Sequence, residues 1–248
     1  MSGHSKWATI KHKKGAADKA RGKLFAKLAR QIEVAARSGG GDVNSNASLR
    51  TQVLKAKAAQ MTKDAIDRAI KRGIGEDDGA NYESITYEGY APGGVAMLVD
   101  VLTDNRNRAA SDVRNAFSKF GGAMAEPGAV GWQFSRRGVI LVPGALDEET
   151  VMGIALDAGA EDIEVDGGSW KILTDPSVVY DVQSALETAG IEVQSAESTM
   201  VSSTTIEVTS VEDAKQILRI MDMLEDNDDV QDVYANFDID EELMQERG

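Results

Sequence analysis

The sequence predicts an α+β protein of three domains, an N-terminal helical bundle followed by two α/β ferredoxin-like modules, one inserted in the other. Three observations carry this. Helical periodicity alone runs through about the first 80 residues, and strands of period-two alternation enter only beyond them. The sign of the charge changes at the same place. Finally, residues 138–200 read as β-α-β-β-α-β, the split arrangement of ferredoxin-like folds. The predicted division is 1–80 as a basic helical domain, 81–137 plus 201–248 as a discontinuous acidic domain, and 138–200 as the insertion.

Residues 16–37 form an amphipathic helix stopped by Ser38-Gly39-Gly40-Gly41. At about 100° per residue, Lys19, Lys23, Lys27, Arg30 and Arg37 share one arc, opposite Leu24, Leu28, Ile32 and Ala35. A second helix follows from Asn46, a good N-cap, with Leu49, Val53, Ala56 and Met61 on one side. A third spans Thr62 to Arg72 and stops at Gly73. Its Asp64/Arg68 and Asp67/Lys71 spacings suit intrahelical ion pairs, so those bases are assigned a structural role.

Beyond the acidic hinge Glu76-Asp77-Asp78-Gly79 come strands at Ser84–Glu88 and Gly94–Leu102, joined by a turn at Gly89–Gly93. A helix is expected over 109–120 and a strand over Val130–Phe134. The inserted module then runs strand Gly138–Val142, helix 147–158, strand Asp162–Asp166, a Gly167-Gly168 turn, strand Trp170–Thr174, a helix from Asp175 to Gly190, and strand Ile191–Ser195. Thr204–Val208, a helix at 211–224 and a strand near 230–237 form a last β-α-β. A lone β-α-β leaves sheet edges uncovered, so it is predicted to complete the sheet begun at 82–135. The acidic tail 238–248 is expected to fray.

The formal net charge of −14 hides a split. Residues 1–75 hold 17 Lys and Arg against 5 Asp and Glu, whereas the remainder holds 10 against 36. Such asymmetry points to a polyanion at the basic end; the alternative is that the two ends neutralise each other within the fold. The cations at 19, 23, 27, 30 and 37 are the leading phosphate contacts. Lys6, Lys11, Lys13 and Lys14 join them from a polar segment that orders on a partner. Trp7 is a candidate for stacking on a base or for packing back onto the helices. Thr103-Asp104-Asn105-Arg106-Asn107-Arg108 adds Arg106 and Arg108, donors suited to phosphate or base edges, or else a capped loop whose arginines neutralise nearby acids. Arg136-Arg137 is a weaker candidate of the same kind.

Catalytic signatures are missing. Gly15 to Lys23 has neither the glycine spacing nor the Ser/Thr of a phosphate loop, and no Gly-x-Gly-x-x-Gly is present. Asp226-Asn227-Asp228-Asp229 lacks the glycine and terminal Glu of a calcium loop. The only histidines, His4 and His12, sit among lysines, and there is no cysteine. No catalytic residue, metal site or cofactor is therefore expected. No apolar run approaches the ~18 residues that span a bilayer, and the N-terminus has no apolar signal region. A cytoplasmic monomer without membrane association is expected.

The opening Met1-Ser2-Gly3-His4-Ser5-Lys6-Trp7-Ala8-Thr9-Ile10-Lys11-His12-Lys13-Lys14 resembles the signature start of the YebC/PmpR family. So do Ala35–Asp42, Lys63–Gly73, Tyr87-Glu88-Gly89-Tyr90-Ala91-Pro92-Gly93-Gly94-Val95 and Leu102–Arg108, in the family's order and across essentially the whole chain. One departure is Thr62, where a proline entering the third helix is expected. The resemblance implies the three-domain nested architecture and a cytoplasmic DNA-binding transcriptional regulator. It equally implies translation, since relatives include a mitochondrial translational activator and members linked to ribosomes and to relief of stalling at proline-rich stretches. It carries over no catalytic residues. Two functional classes follow: a non-enzymatic nucleic-acid-binding regulator, acting on DNA or ribosomal RNA, and an acidic adaptor that docks a basic protein partner. The lack of an obvious base-reading helix leans towards structured RNA or shape readout.

Overall fold

A computed structural model describes residues 17–75, 82–166 and 168–239, with side chains from residue 21 onward. Its first element, α1 (Ala17–Gly39), packs its Leu28/Ile32/Ala35 face on α2 (Ala47–Ala58) and α3 (Lys63–Ile74). Ile32, Leu49, Ala56 and Ala69 are fully buried in this bundle, and each large aliphatic there contributes about 1.5–3 kcal/mol of burial. Asn46 caps α2 by accepting the Leu49 N–H, and its Nδ2 donates to Ala35 O and Gly40 O, which fixes the angle between α1 and α2. Met61 is buried but lies past the end of α2, after a turn at Gln60. Gly73 does not stop α3; it lies inside the helix. A Cβ there would collide with Glu33 O, so the glycine is what lets α3 cross α1 closely. Among the described residues, neither of the two expected ion pairs of α3 closes; Arg72 instead meets Glu33 of α1 at 3.2 Å.

The next sheet begins with β1 (Glu83–Ala91) and β2 (Val95–Thr103), an antiparallel hairpin turned at Pro92–Gly94. After it come α4 (Arg106–Lys119) and β3 (Ala123–Ala125). The helix starts three residues earlier than expected because Asn105 caps it, accepting the Arg108 N–H. The expected strand at 130–134 is a 3-10 turn at Gly131–Gln133 leading into β4 (Phe134–Pro143). The Glu88 carboxylate shapes the preceding loop by accepting the N–H groups of Gly128, Val130 and Gly131 at 2.6, 2.6 and 2.8 Å.

From β4 the chain continues through α5 (Glu148–Asp157), β5 (Ala160–Asp166), β6 (Ser169–Thr174), α6 (Val179–Thr188) and β7 (Ser195–Ser202). The all-antiparallel order β5-β6-β4-β7 is that of a ferredoxin-like sheet. Two boundaries differ from the sequence reading. Asp175 Oδ1 accepts both the N–H and the hydroxyl of Ser177, holding 175–178 as a turn, so α6 starts only at Val179. The last strand is 195–202 rather than 191–195, because the Ile191 N–H is spent on Leu186 O at the end of α6.

The chain then returns through β8 (Ile206–Val208), α7 (Val211–Glu225), β9 (Val230–Ala235) and β10 (Phe237–Ile239). As predicted, β9 completes the first sheet, giving β3-β1-β2-β9, but β8 pairs with β10 in a separate two-stranded parallel sheet. Asn236 is the switch point: its Oδ1 accepts the Ala96 N–H and its carbonyl accepts the Ile206 N–H. The faces of β2 divide the molecule. Met97, Val99 and Val101 meet α4 and α7 in the largest core, while Leu98, Asp100 and Leu102 turn towards the helical bundle. The fold is α+β, a helical N-terminal part followed by two α/β modules.

Candidate nucleic-acid interface

The cations of α1 do not form an open row. Where α7 ends, its last carbonyls have no partner within the helix and the terminus carries partial negative charge, and the sequence places Asp226-Asn227-Asp228-Asp229 directly after it. Lys23 Nζ donates to Asp226 O at 3.1 Å and pairs with Asp226 Oδ1 at 2.9 Å. One turn along, Lys27 Nζ donates to Glu225 O at 2.9 Å. One further turn brings Arg30 Nη1 to Leu102 O, Asp228 O and Asp229 Oδ1 at 3.0–3.1 Å, with its guanidinium 4.9 Å from the Tyr82 ring centroid. Lys23 and Lys27 thus meet the C-terminal end of α7, and Arg30 the turn that follows it, so all three are engaged within the chain.

Asp229 is the centre of this joint. It is 5% exposed, and its Oδ2 accepts from Thr103 Oγ1 at 2.8 Å and from Arg108 Nη2 at 2.7 Å while Oδ1 accepts from Arg30. Burial pushes the carboxyl up, but the hydrogen bonds from Arg108, Thr103 and Arg30 outweigh it and hold Asp229 below the usual aspartate range. Arg108 is correspondingly raised, chiefly by its bonds to Asp229 and Asp104. Arg108 is therefore held as a partner of Asp229 and Asp104. Two predicted site residues, Arg30 and Arg108, do meet, but on a carboxylate of the same chain.

The remaining candidates fare differently. Arg37 pairs with Glu33 at 3.3 Å. Arg106 is exposed on the first turn of α4 and forms no ion pair among the described residues. Arg136 lies 4.0 Å from Asp100, and Arg137 pairs with Glu161. Lys6, Trp7, Lys11, Lys13 and Lys14 lie outside the described residues, as do the side chain of Lys19, both histidines and the hinge at 76–79.

Sequence reasoning missed a cleft of about 660 Å³ between the bundle and the outer face of β1, β2 and β9, lined by apolar and polar side chains with Arg136 among them. Asp100 and Asp232 stand directly opposite each other on β2 and β9. Thr86 Oγ1 donates to Asp100 at 2.7 Å, yet burial, with the charge of Asp232 adding to it, raises the Asp100 carboxyl above its ordinary value. Gln52 lines the same cleft, and its Oε1 is buried without a partner among the described residues. Period-two alternation marks Asp100 and Asp232 as facing one way, but strand pairing alone makes them neighbours.

Among the described residues no helix is long and apolar enough to cross a membrane, and no group of three His, Cys, Asp or Glu side chains is placed to hold a metal ion. Residues 5–76 match the model of the TACO1/YebC protein N-terminal domain, and residues 82–237 that of the TACO1/YebC second and third domain. A protein of Rubrobacter xylanophilus named "Probable transcriptional regulatory protein" is 57% identical over 248 residues, with 99% of each chain covered. One of the same name from Beutenbergia cavernae is 55% identical, with 98% of each covered. A crystal structure of a conserved hypothetical protein from Aquifex aeolicus superposes with a TM-score of 0.78 at 43% identity, covering 92% of this chain and 94% of that one. The chain belongs to the TACO1/YebC family.

Proposed function

We propose that the protein is a non-enzymatic regulator of gene expression that binds nucleic acid through its basic N-terminal segment. The observation that carries this reading is the concentration of 17 of the 27 bases in residues 1–75 against only 5 acids. The printed names of the relatives, probable transcriptional regulatory proteins, support regulation and favour DNA. The contacts assigned are Lys6, Lys11, Lys13, Lys14 and Lys19, then Lys23, Lys27 and Arg37 of α1 once they leave their partners in the chain, with Arg106 as an outlying donor and Trp7 as a stacking side chain. The acidic modules repel phosphate and so limit how much polyanion the protein coats. It acts as a cytoplasmic monomer without cofactor, divided at about residues 80, 137 and 200.

A second reading, binding of ribosomal RNA in a translational role, is favoured by one observation. The outward face of α3 mixes Asp64 and Asp67 with Arg68 and Lys71, and that of α1 is engaged, so neither helix offers a base-reading set for the major groove. Sedimentation with ribosomes, compared with retention on genomic DNA at matched ionic strength, separates the two. Retention on DNA alone supports the first reading and co-sedimentation alone the second. Neither, at low salt, rejects nucleic-acid binding.

A further inference from the structure

The α1 cations and the acidic turn are complementary along their whole contact. Successive turns of α1 deliver Lys23, Lys27 and Arg30 to Asp226, Glu225 and Asp228–Asp229. What the turn offers, a carboxylate beside a row of main-chain oxygens at the negative end of a helix, resembles a sugar–phosphate backbone in presenting closely spaced acceptors of negative potential. We propose that the turn at 225–229 is an intramolecular phosphate mimic, which occupies Lys23 and Lys27 in the free protein and is displaced when nucleic acid takes the stripe. This rests on the reading that the basic segment binds nucleic acid.

The joint is graded so that it can open at one end. At the outer end the Lys23 and Asp226 side chains are 33% and 80% exposed, and exposed pairs are weak and screened by salt. At the inner end Arg30 and Asp229 are 23% and 8% exposed, and Asp229 is held again by Thr103 and Arg108. The outer pair is released while the inner pair keeps the bundle attached. Polyanion affinity is then reduced by the fraction of molecules that are closed. Only a ligand dense in phosphate recovers the loss, so the turn filters out weak, sparse anions.

The test replaces Asp226 and Asp228 by Asn and leaves Asp229 intact. A control, Asp157→Asn with Glu192→Gln, removes the same charge from exposed positions of the ferredoxin-like module. The probes are a random-sequence DNA duplex of about 20 base pairs and an RNA hairpin of matched phosphate number. At low salt the D226N/D228N protein binds at least one probe about 3–10-fold more tightly than wild type. The control shifts affinity less than about 2-fold, and the difference fades as salt screens the pairs. Equal gains in both variants overturn the mimic while leaving nucleic-acid binding standing. If neither wild type nor variant binds either probe, the underlying reading fails and the mimic falls with it. Lysine acetylation followed by mass spectrometry tests the clamp without ligand. Lys23 and Lys27 react more slowly than Lys57 and Lys63 in wild type, and Lys23 loses that protection in D226N/D228N. Equal rates in the wild type overturn the proposal.

Discussion

The two ends of the α1–α7 joint use the same chemistry with different consequences. At Lys23 a cation meets a carboxylate and a helix-end carbonyl in view of solvent. At Arg30, two turns along, a cation meets a carboxylate and two carbonyls, but the carboxylate is buried and already bound by Thr103 and Arg108. Burial, not charge, decides which contact fastens and which releases. Water competes for Lys23 at every moment, whereas opening Arg30 would take a charged partner from Oδ1 of a buried aspartate.

The largest effect should come from breaking the inner end. Asp229→Ala takes the shared carboxylate from Arg30 and Arg108, and should cost about 3–5 kcal/mol of unfolding free energy in urea titration. The same contrast has a pH signature. Asp229 is held below its ordinary value, so its stabilisation is fully present above the unfolded pKa of about 3.9 and is lost as pH falls through the lower folded value. Wild type should therefore lose stability on acidification below about pH 4 more steeply than Asp229→Asn.

Asp100 reverses that sign. Its carboxyl is raised, so the native state holds the proton more readily than the unfolded chain, and stability falls as pH rises through the window between the two values. Asp100→Asn keeps an acceptor for Thr86 and removes the charge facing Asp232. It should gain about 0.2–1 kcal/mol at pH 7 and nothing at pH 3, measured by thermal unfolding at the two pH values. The smallest effect is at the outer end, where Lys23→Ala should cost less than about 0.5 kcal/mol in the same urea titration that reports Asp229→Ala. A cost near that of Asp229→Ala would erase the distinction between the two ends.

Much of the fold was legible because its signals are local. Asn46, Asp147 and Ser210 cap the helices that follow them, as the sequence suggests. Misplaced boundaries trace to local signals that tertiary structure overrode. Ile191 and Val193 look like strand residues but pack in the loop after α6, while the true strand, Ser195-Ala196-Glu197-Ser198-Thr199-Met200-Val201-Ser202, is a largely polar edge strand. The candidate site was legible in composition and not in arrangement. The stripe at 23, 27 and 30 and the acidic run at 225–229 are both plain in the sequence, but Arg30 and Asp229 are 199 positions apart. No periodicity reports that two segments of opposite charge share a contact.

The central claim, that the basic segment grips phosphate and that Lys23 and Lys27 take part once released, is tested most directly by the salt dependence of duplex binding. Each lysine that neutralises a phosphate adds about 0.9 to the magnitude of the log–log slope. Changing Lys23 and Lys27 together to Gln should therefore flatten the wild-type slope by about 1.8. A slope unchanged by the double substitution would contradict the claim and leave the α1 cations as an internal fastening alone.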